Sequence, residues 1–183
     1  MPNATICGGA KVSVQEISNL LSSGLQASVL PASINLVVDR RKATALARLT
    51  DAPGRIRSIL YFSGWMQPIR DRSGIRASTW ILELYANEGT TGAAASANAA
   101  VLTDTDLLEA AEDLATTMES LEFPGYDMCP PALQSSSWML AEDGTTLSGH
   151  SLTFTIIYCH PVRQHVQVAA PEPPTGAGFR PIS

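Results

Sequence analysis

The adjacent residues Cys159 and His160 are the first arrangement in the sequence that could carry out chemistry. A cysteine nucleophile needs a nearby base to generate its thiolate. The residues before this pair alternate as in a β-strand, where successive side chains point to opposite faces of the sheet. We therefore expect Cys159 to be a buried strand cysteine beside a histidine at the strand end, and not half of a catalytic pair.

Histidine spacing offers a second candidate, a zinc site. His160 and His165 form an H-x4-H pair, to which His150 and Cys159 could add ligands. The sequence has no C-x2-C pair, and residues 161–164 open a segment rich in proline and glycine that is poorly suited to fixing ligand geometry. The pattern therefore favours the absence of a metal site.

The common catalytic and phosphate-binding motifs are missing from the sequence. It contains no P-loop, no glycine-rich dinucleotide fingerprint, no HExxH and no Gly-x-Ser-x-Gly. Glu109, Glu112 and Asp113 could imitate a carboxylate site, but such residues are typical of the solvated face of an amphipathic helix. We predict that the protein is not an enzyme and needs no cofactor.

The most unusual feature is the distribution of charge along the chain. Nine of the 12 lysines and arginines lie between residues 40 and 76, whereas 12 of the 17 acids lie between residues 83 and 143, where no basic residue occurs. The same separation of basic and acidic residues could arise by chance, with the basic residues merely keeping a hairpin solvated. The functional interpretation is a subunit with a cationic and an anionic part, suited to head-to-tail contacts that close into a ring. The candidate interface residues are Arg40, Arg41, Lys42, Arg48, Arg55, Arg57, Glu109, Glu112 and Asp113.

Composition narrows the class of protein further. Of 183 residues, 45% are apolar and 16% are charged, below the ~25% charged residues of an average soluble protein. This favours one folded domain that buries surface against other subunits. The acidic pI of about 5.1 argues against nucleic-acid wrapping, and no apolar run approaches the ~20 residues of a membrane-spanning helix. We expect no signal peptide and, from three cysteines without a disulfide framework, a reducing compartment.

The spacing of hydrophobic residues predicts the helices and strands that must position the candidate residues named above. A capping box of Ser13 and Glu16 starts a first helix, and Asp106 with Glu109 starts a second helix that ends before Pro124. Apolar alternation predicts strands over 33–39, 55–66, 75–87, 136–142 and 151–159. Between them, we interpret residues 40–54 as a loop, with a short strand or one helical turn as alternatives. We expect residues 88–101 to form a loop that orders only against a neighbour.

The predicted fold is α+β, a mostly antiparallel β-sheet with two main helices packed on one face. We expect a flexible N-terminus over 1–12, one domain over 13–160 and a Pro/Gly-rich C-terminal tail over 161–183. The hairpin strand from residue 55 should place alternate residues on opposite faces. One face would hold Ile56, Leu60 and Phe62, and the other Ile59, Tyr61 and Trp65.

The order of elements resembles that of the tail-terminator proteins of long-tailed bacteriophages. The resemblance covers about residues 13–160 and rests on element order and three local patterns. These are the strand Trp80-Ile81-Leu82-Glu83-Leu84-Tyr85, the Asp-rich helix start at 104–112 and the last strand at 152–158. The Ala/Thr/Gly stretch at 89–100 and the tail from 161 depart from the family pattern.

The resemblance implies a structural role without catalytic residues. Such proteins form a ring, usually of six subunits, that ends polymerisation of the tail tube and joins the tail to the neck. The implied partners are the tail tube protein, a neck or head–tail connector protein and, in a contractile tail, the sheath. DNA would pass through the lumen without being read. The implied location is the virion tail near the neck, after assembly in the host cytoplasm.

Other interpretations remain open at this point. Another neck, head–tail joining or tail-tube protein could share the same pattern of elements. A small enzyme that uses Cys159 or an acidic pocket belongs to a different class. A ligand-binding module would use the hairpin around Trp65 and Trp80 as the floor of its pocket.

Overall fold

The computed structural model describes residues 9–28, 30, 34–49, 56–66, 74–85, 104–140 and 147–160. In chain order, its elements are α1 (Val14–Ala27), β1 (Ile34–Asp39), α2 (Lys42–Arg48), β2 (Ile56–Trp65), β3 (Ile75–Tyr85), α3 (Asp104–Glu119), β4 (Ala132–Leu140) and β5 (Leu147–Cys159). The expected loop at 88–101 and the expected tail from 161 lie outside the described residues. Packing begins before the expected domain boundary at Ser13, because Val12 is fully buried and its N–H donates to the carbonyl of Cys159.

The five strands form one sheet in the order β1-β2-β3-β5-β4. β1 runs parallel to β2, and the three remaining pairs are antiparallel. This confirms the predicted α+β fold with its mostly antiparallel sheet. β4 and β5 both begin earlier than the periodicity predicted, at Ala132 and Leu147.

α1 and α3 share one hydrophobic core with one face of the sheet. The capping box that starts α1 is present, because Ser13 Oγ accepts from the backbone N–H of Glu16 while the Glu16 carboxylate accepts from the N–H of Ser13. α3 begins at Asp104, so Asp106 lies inside the helix and the prediction that Asp106 caps its N-terminus was wrong. Apolar residues at helical spacing along α3 are buried against the core (Leu107, Ala111, Leu114, Ala115 and Met118), whereas Leu108 is 40% exposed.

The opposite face of the sheet carries the short helix α2, so the interpretation of residues 40–54 as a loop was wrong for Lys42–Arg48. Alanine and leucine favour helix strongly. The side chain of Ala45 is fully buried against Ile59 and Tyr61. Seven residues are too few to show a helical period in sequence, and this small apolar contact is what holds the helix in place.

Trp65 lies on the face opposite to the one that strand alternation predicted. The pairing of β2 with β3 shifts its register between Phe62 and Gly64, and such an extra residue reverses the faces of the side chains that follow. The Trp65 ring therefore packs edge-on against Phe62, with ring centroids 5.0 Å apart. Its Nε1–H donates to the hydroxyl of Tyr158 over 3.0 Å.

Candidate functional site

The basic residues of the predicted interface cluster where β1 turns into α2. Arg40 and Arg41 form this turn, and both are exposed. The backbone N–H of Arg41 donates to Asp39 Oδ1 over 3.1 Å, which fixes the turn. Among the described residues, no acid lies within ion-pair distance of either guanidinium. Both arginines are therefore placed to meet a partner.

Two other predicted interface cations are engaged within the subunit. Lys42 Nζ lies 2.8 Å from Glu83 Oε1, and Arg48 Nη1 lies 3.2 Å from Asp39 Oδ2. Arg57 is half-buried in β2, opposite Tyr85 of β3. Arg55 lies outside the described residues. Among the described members of the predicted basic set, Arg40 and Arg41 are thus the exposed cations without an ion pair to another described residue.

Glu83 is the centre of a buried polar cluster that the sequence analysis missed. Its carboxylate accepts hydrogen bonds from Lys42 Nζ, from Tyr61 OH at 3.0 Å and from Tyr85 OH. Burial raises the pKa of this carboxyl, but the hydrogen bonds from Lys42 and the two tyrosines lower it by more, so the net pKa lies below its usual range. Burial, with hydrogen bonding to Glu83, raises the pKa values of both tyrosines.

Glu83 is therefore a charged hydrogen-bond acceptor with three donors around its carboxylate. The cluster ties α2 to the middle of the sheet through Lys42, which is 41 positions from Glu83 in the chain. A buried carboxylate with three donors is stabilising only while all of its partners stay in place. The cluster therefore helps to hold α2 against the sheet. No local sequence signal could have found it, because the donors come from three separate elements.

Two clefts meet at Arg40 and Arg41. A polar cleft of about 390 Å³ lies between α1 and α2 and includes Gln15, Arg40, Arg41 and Arg48 in its wall. A second cleft of about 340 Å³ is lined by Val14, Gln15, Arg40, Arg41, Phe62 and Trp65. We call this second cleft the basic–aromatic groove.

The three tryptophans differ sharply in what they offer to a ligand. Trp80 is fully buried in the main core, so it cannot form the floor of a pocket as the ligand-binding interpretation required. Trp65 is 58% exposed and contributes an aromatic wall to the basic–aromatic groove. The third, Trp138, is exposed on the edge strand β4. A ligand-binding module would therefore depend on Trp65 without Trp80.

The predicted acidic residues lie over the other half of the sheet. Glu109, Glu112 and Asp113 are exposed on α3, which packs on β3, β5 and β4, whereas α2 packs on β1 and β2. At the end of α3, Glu119 Oε1 accepts the backbone N–H of Leu133 in β4 over 3.0 Å. The basic and the acidic members of the predicted interface are thus not brought together within one subunit.

The candidate cysteine and zinc chemistry gains no support from the described geometry. Cys159 is the last residue of β5 and is 1% exposed, which confirms the expected buried strand cysteine. His165 lies outside the described residues. Within the part of the chain that the structure describes, no three side chains of His, Cys, Asp or Glu come together as a metal site would require.

A serine–histidine contact at the edge of the sheet was not expected from the sequence. Ser136 Oγ in β4 lies 2.6 Å from Nε2 of His150 in β5, and the Trp138 ring packs edge-on against that imidazole. Burial lowers the pKa of His150, which favours the neutral ring. A catalytic pair also needs a third group that orients the imidazole, and the described residues place no hydrogen-bond partner at Nδ1. Within the described residues, the contact joins β4 to β5 and lacks the third member of a Ser–His–Asp triad.

Comparison with known proteins leaves the family open, because neither protein-family models nor curated protein sequences match the chain. None of the helices in the described ranges combines the length and the apolar character needed to cross a membrane.

Proposed function

We propose that this protein is a structural subunit that assembles head to tail into a closed ring. Following the resemblance described above, we further propose that the ring caps the tail tube of a long-tailed bacteriophage, ends its polymerisation and joins the tail to the neck. One observation carries the proposal. Exposed cations and exposed acids lie on opposite halves of the same sheet.

Opposite charges on two different surfaces favour a heterologous contact over a two-fold one. In a two-fold dimer, residue i of one subunit meets residue j of the other while j meets i, so basic and acidic surfaces pair only when one interface contains both of them. The cations beside α2 and the acids on α3 lie on opposite halves of the sheet, so a two-fold contact would have to span both halves. In a heterologous contact the basic surface of one subunit meets the acidic surface of the next, and repetition of that step closes a ring when the rotation allows. Glu109, Glu112 and Asp113 supply the acidic surface.

Charge pairs alone would not hold such a ring together. Each exposed pair contributes about 0–1 kcal/mol, and salt screens exposed charges beyond ~10 Å at 0.1 M. Assembly should therefore need apolar contacts as well and should weaken as salt increases.

Native mass spectrometry of the full chain at low ionic strength tests the ring. We expect one closed species, with six subunits as the size that the resemblance suggests, and a ring with a central hole in negative-stain electron micrographs. A monomer at all concentrations would contradict the proposal and favour an enzyme or a ligand-binding module.

A second experiment separates a terminator from other ring-forming tail proteins. The tail tube protein of the same phage is polymerised with and without this chain, and tube lengths are measured by electron microscopy. A terminator should shorten the tubes and be found at one end of each tube. A tube protein would instead enter along the whole length, and a neck protein would leave the length unchanged.

A further inference from the structure

The aromatic wall of the basic–aromatic groove is held in place before any partner arrives. Trp65 packs edge-on against Phe62 and donates its Nε1–H to Tyr158 OH. Phe62 in turn packs against the fully buried Trp80, with ring centroids 5.8 Å apart. Even so, Trp65 remains 58% exposed. An ordered aromatic ring that stays in contact with solvent loses little side-chain entropy when a partner covers it.

The same groove combines this apolar wall with positive charge. Arg40 and Arg41 line it together with Gln15 of α1. A partner that fills the groove should therefore offer an apolar side chain with carboxylates close beside it.

α3 carries this combination on its exposed face. Leu108 is the one large apolar residue of α3 that is exposed, and the neighbouring exposed side chains include Glu109 and Glu112. Residues four apart on a helix lie on the same side, about one turn or ~6 Å along the axis. Leu108 and Glu112 thus form an apolar and an acidic contact side by side.

We infer that the basic–aromatic groove binds α3 of a second copy of this chain, with Leu108 seated against Trp65 and Phe62. Glu109 and Glu112 then face Arg40 and Arg41. This inference rests on the proposed function, because it identifies the contact that joins neighbouring subunits. Binding of an amphipathic helix in a groove, with one apolar anchor and flanking charges, is a common mode of recognition. The complementary charge and the exposed apolar residue occur on the same chain, which favours a second copy over an unrelated acidic helix.

A photoreactive benzophenone side chain at Gln15 tests this contact in the full chain. Gln15 is exposed and lines the groove without belonging to its aromatic wall. Gln26, exposed near the other end of α1, provides the matched control position. Irradiation of the assembled protein should cross-link position 15 to α3 of another copy, and the control probe should give no cross-link to α3. A glutamate-specific protease is needed to map the product, because residues 77–162 contain no lysine or arginine.

Leu108→Gln tests the apolar anchor without a photoprobe. Glutamine retains helix propensity, so α3 should stay folded. Leu46 is 42% exposed on α2 and lines neither cleft, so Leu46→Gln is the control. We expect Leu108→Gln to raise the dissociation constant of the assembly about three- to eightfold, since covering the exposed 40% of a leucine side chain is worth about that factor. Leu46→Gln should leave the constant unchanged.

The results separate this inference from the proposed ring. Cross-links to α3 together with a selective effect of Leu108→Gln support the inference. If the ring forms while position 15 cross-links elsewhere, or while both glutamine variants assemble equally well, the groove is not the contact and the ring itself still stands. A chain that stays monomeric overturns both.

Discussion

The two faces of the sheet are built on different principles. The face under α1 and α3 is an apolar core that includes Trp80, Leu114 and Phe154, all fully buried. The face under α2 has only a small apolar cluster around Ala45, and next to it the charged carboxylate of Glu83. The first face supplies most of the apolar burial that stabilises the fold. On the second face, ion pairs within the subunit engage Lys42 and Arg48 and leave Arg40 and Arg41 available to a partner.

This difference corrects the charge argument made from sequence. Counting residues treats all nine cations between 40 and 76 as available to a neighbouring subunit. The structure shows that Lys42 and Arg48 neutralise Glu83 and Asp39 within their own subunit. Among the described candidate interface residues, Arg40 and Arg41 are therefore the cations to test, and any test that also changes Lys42 would disturb folding and assembly together.

The largest effect is expected in the apolar core. Leu114→Ala should lower the free energy of unfolding by about 2–5 kcal/mol, because it removes a fully buried side chain and leaves a cavity. Urea denaturation followed by circular dichroism measures the change. Leu108→Ala on the same helix is the control; measured under conditions that keep the protein monomeric, it should cost about 1 kcal/mol, because 40% of that side chain is already exposed and only the covered part is lost. Equal effects of the two variants would contradict the packing described for α3.

An intermediate effect is expected on the α2 face. Glu83→Gln removes the negative charge while nearly preserving shape, and it should cost about 1–3 kcal/mol, because hydrogen bonds to a charged group are lost and Lys42 is left without its counter-ion. Lys42 is partly exposed, so solvent limits the cost. Urea denaturation at pH 7 provides the measurement. A variant as stable as the wild type would show that the cluster does not hold α2.

The cost of Glu83→Gln should also depend on pH. The pKa of Glu83 is lowered in the folded state, so its charged form stabilises the fold above the unfolded pKa of about 4.3. That contribution is lost as the pH falls through the folded pKa. Denaturation midpoints of wild type and variant should therefore differ at pH 7 and converge under strongly acidic conditions. A difference that stays constant with pH would show that the Glu83 charge is not responsible.

A small effect on stability is expected at the predicted interface itself. Under conditions that keep all variants monomeric, such as dilute protein at high salt, Arg40→Glu with Arg41→Glu should change the free energy of unfolding by no more than about 0.5 kcal/mol, because both side chains are exposed. Lys42→Glu is the contrasting variant, since it places a second carboxylate beside Glu83 and should destabilise the fold by about 1–2 kcal/mol. Thermal denaturation of the two proteins checks this order, and the reverse order would contradict the division of roles among the three cations.

No effect is expected from metal removal. Prolonged incubation with a chelator should leave the native mass of the assembly and its melting temperature unchanged. Dissociation or a lower melting temperature would instead indicate a zinc site that uses His160 and His165.

The sequence was most informative where a regular period extends over many residues. The alternation around Trp80 and the helical spacing around Leu114 located β3 and α3, because a buried face repeats with the period of its element. α2 was missed because seven residues are too few for a period. Trp65 was placed on the wrong face because a bulge reverses the alternation after Phe62. The contact of Lys42 with Glu83 could not be predicted, because it depends on the tertiary fold.

The central claim is that the basic surface of one subunit binds the acidic surface of the next, and mixing two charge-reversed chains tests it most directly. The first chain carries Arg40→Glu and Arg41→Glu, and the second carries Glu109→Lys, Glu112→Lys and Asp113→Lys. By native mass spectrometry at low salt, each chain alone should be mainly monomeric, since its two surfaces then carry the same charge. Their equimolar mixture should recover a ring in which the two chains alternate. If each chain assembles alone as the wild type does, or if the mixture remains monomeric, charge complementarity between these surfaces does not build the ring.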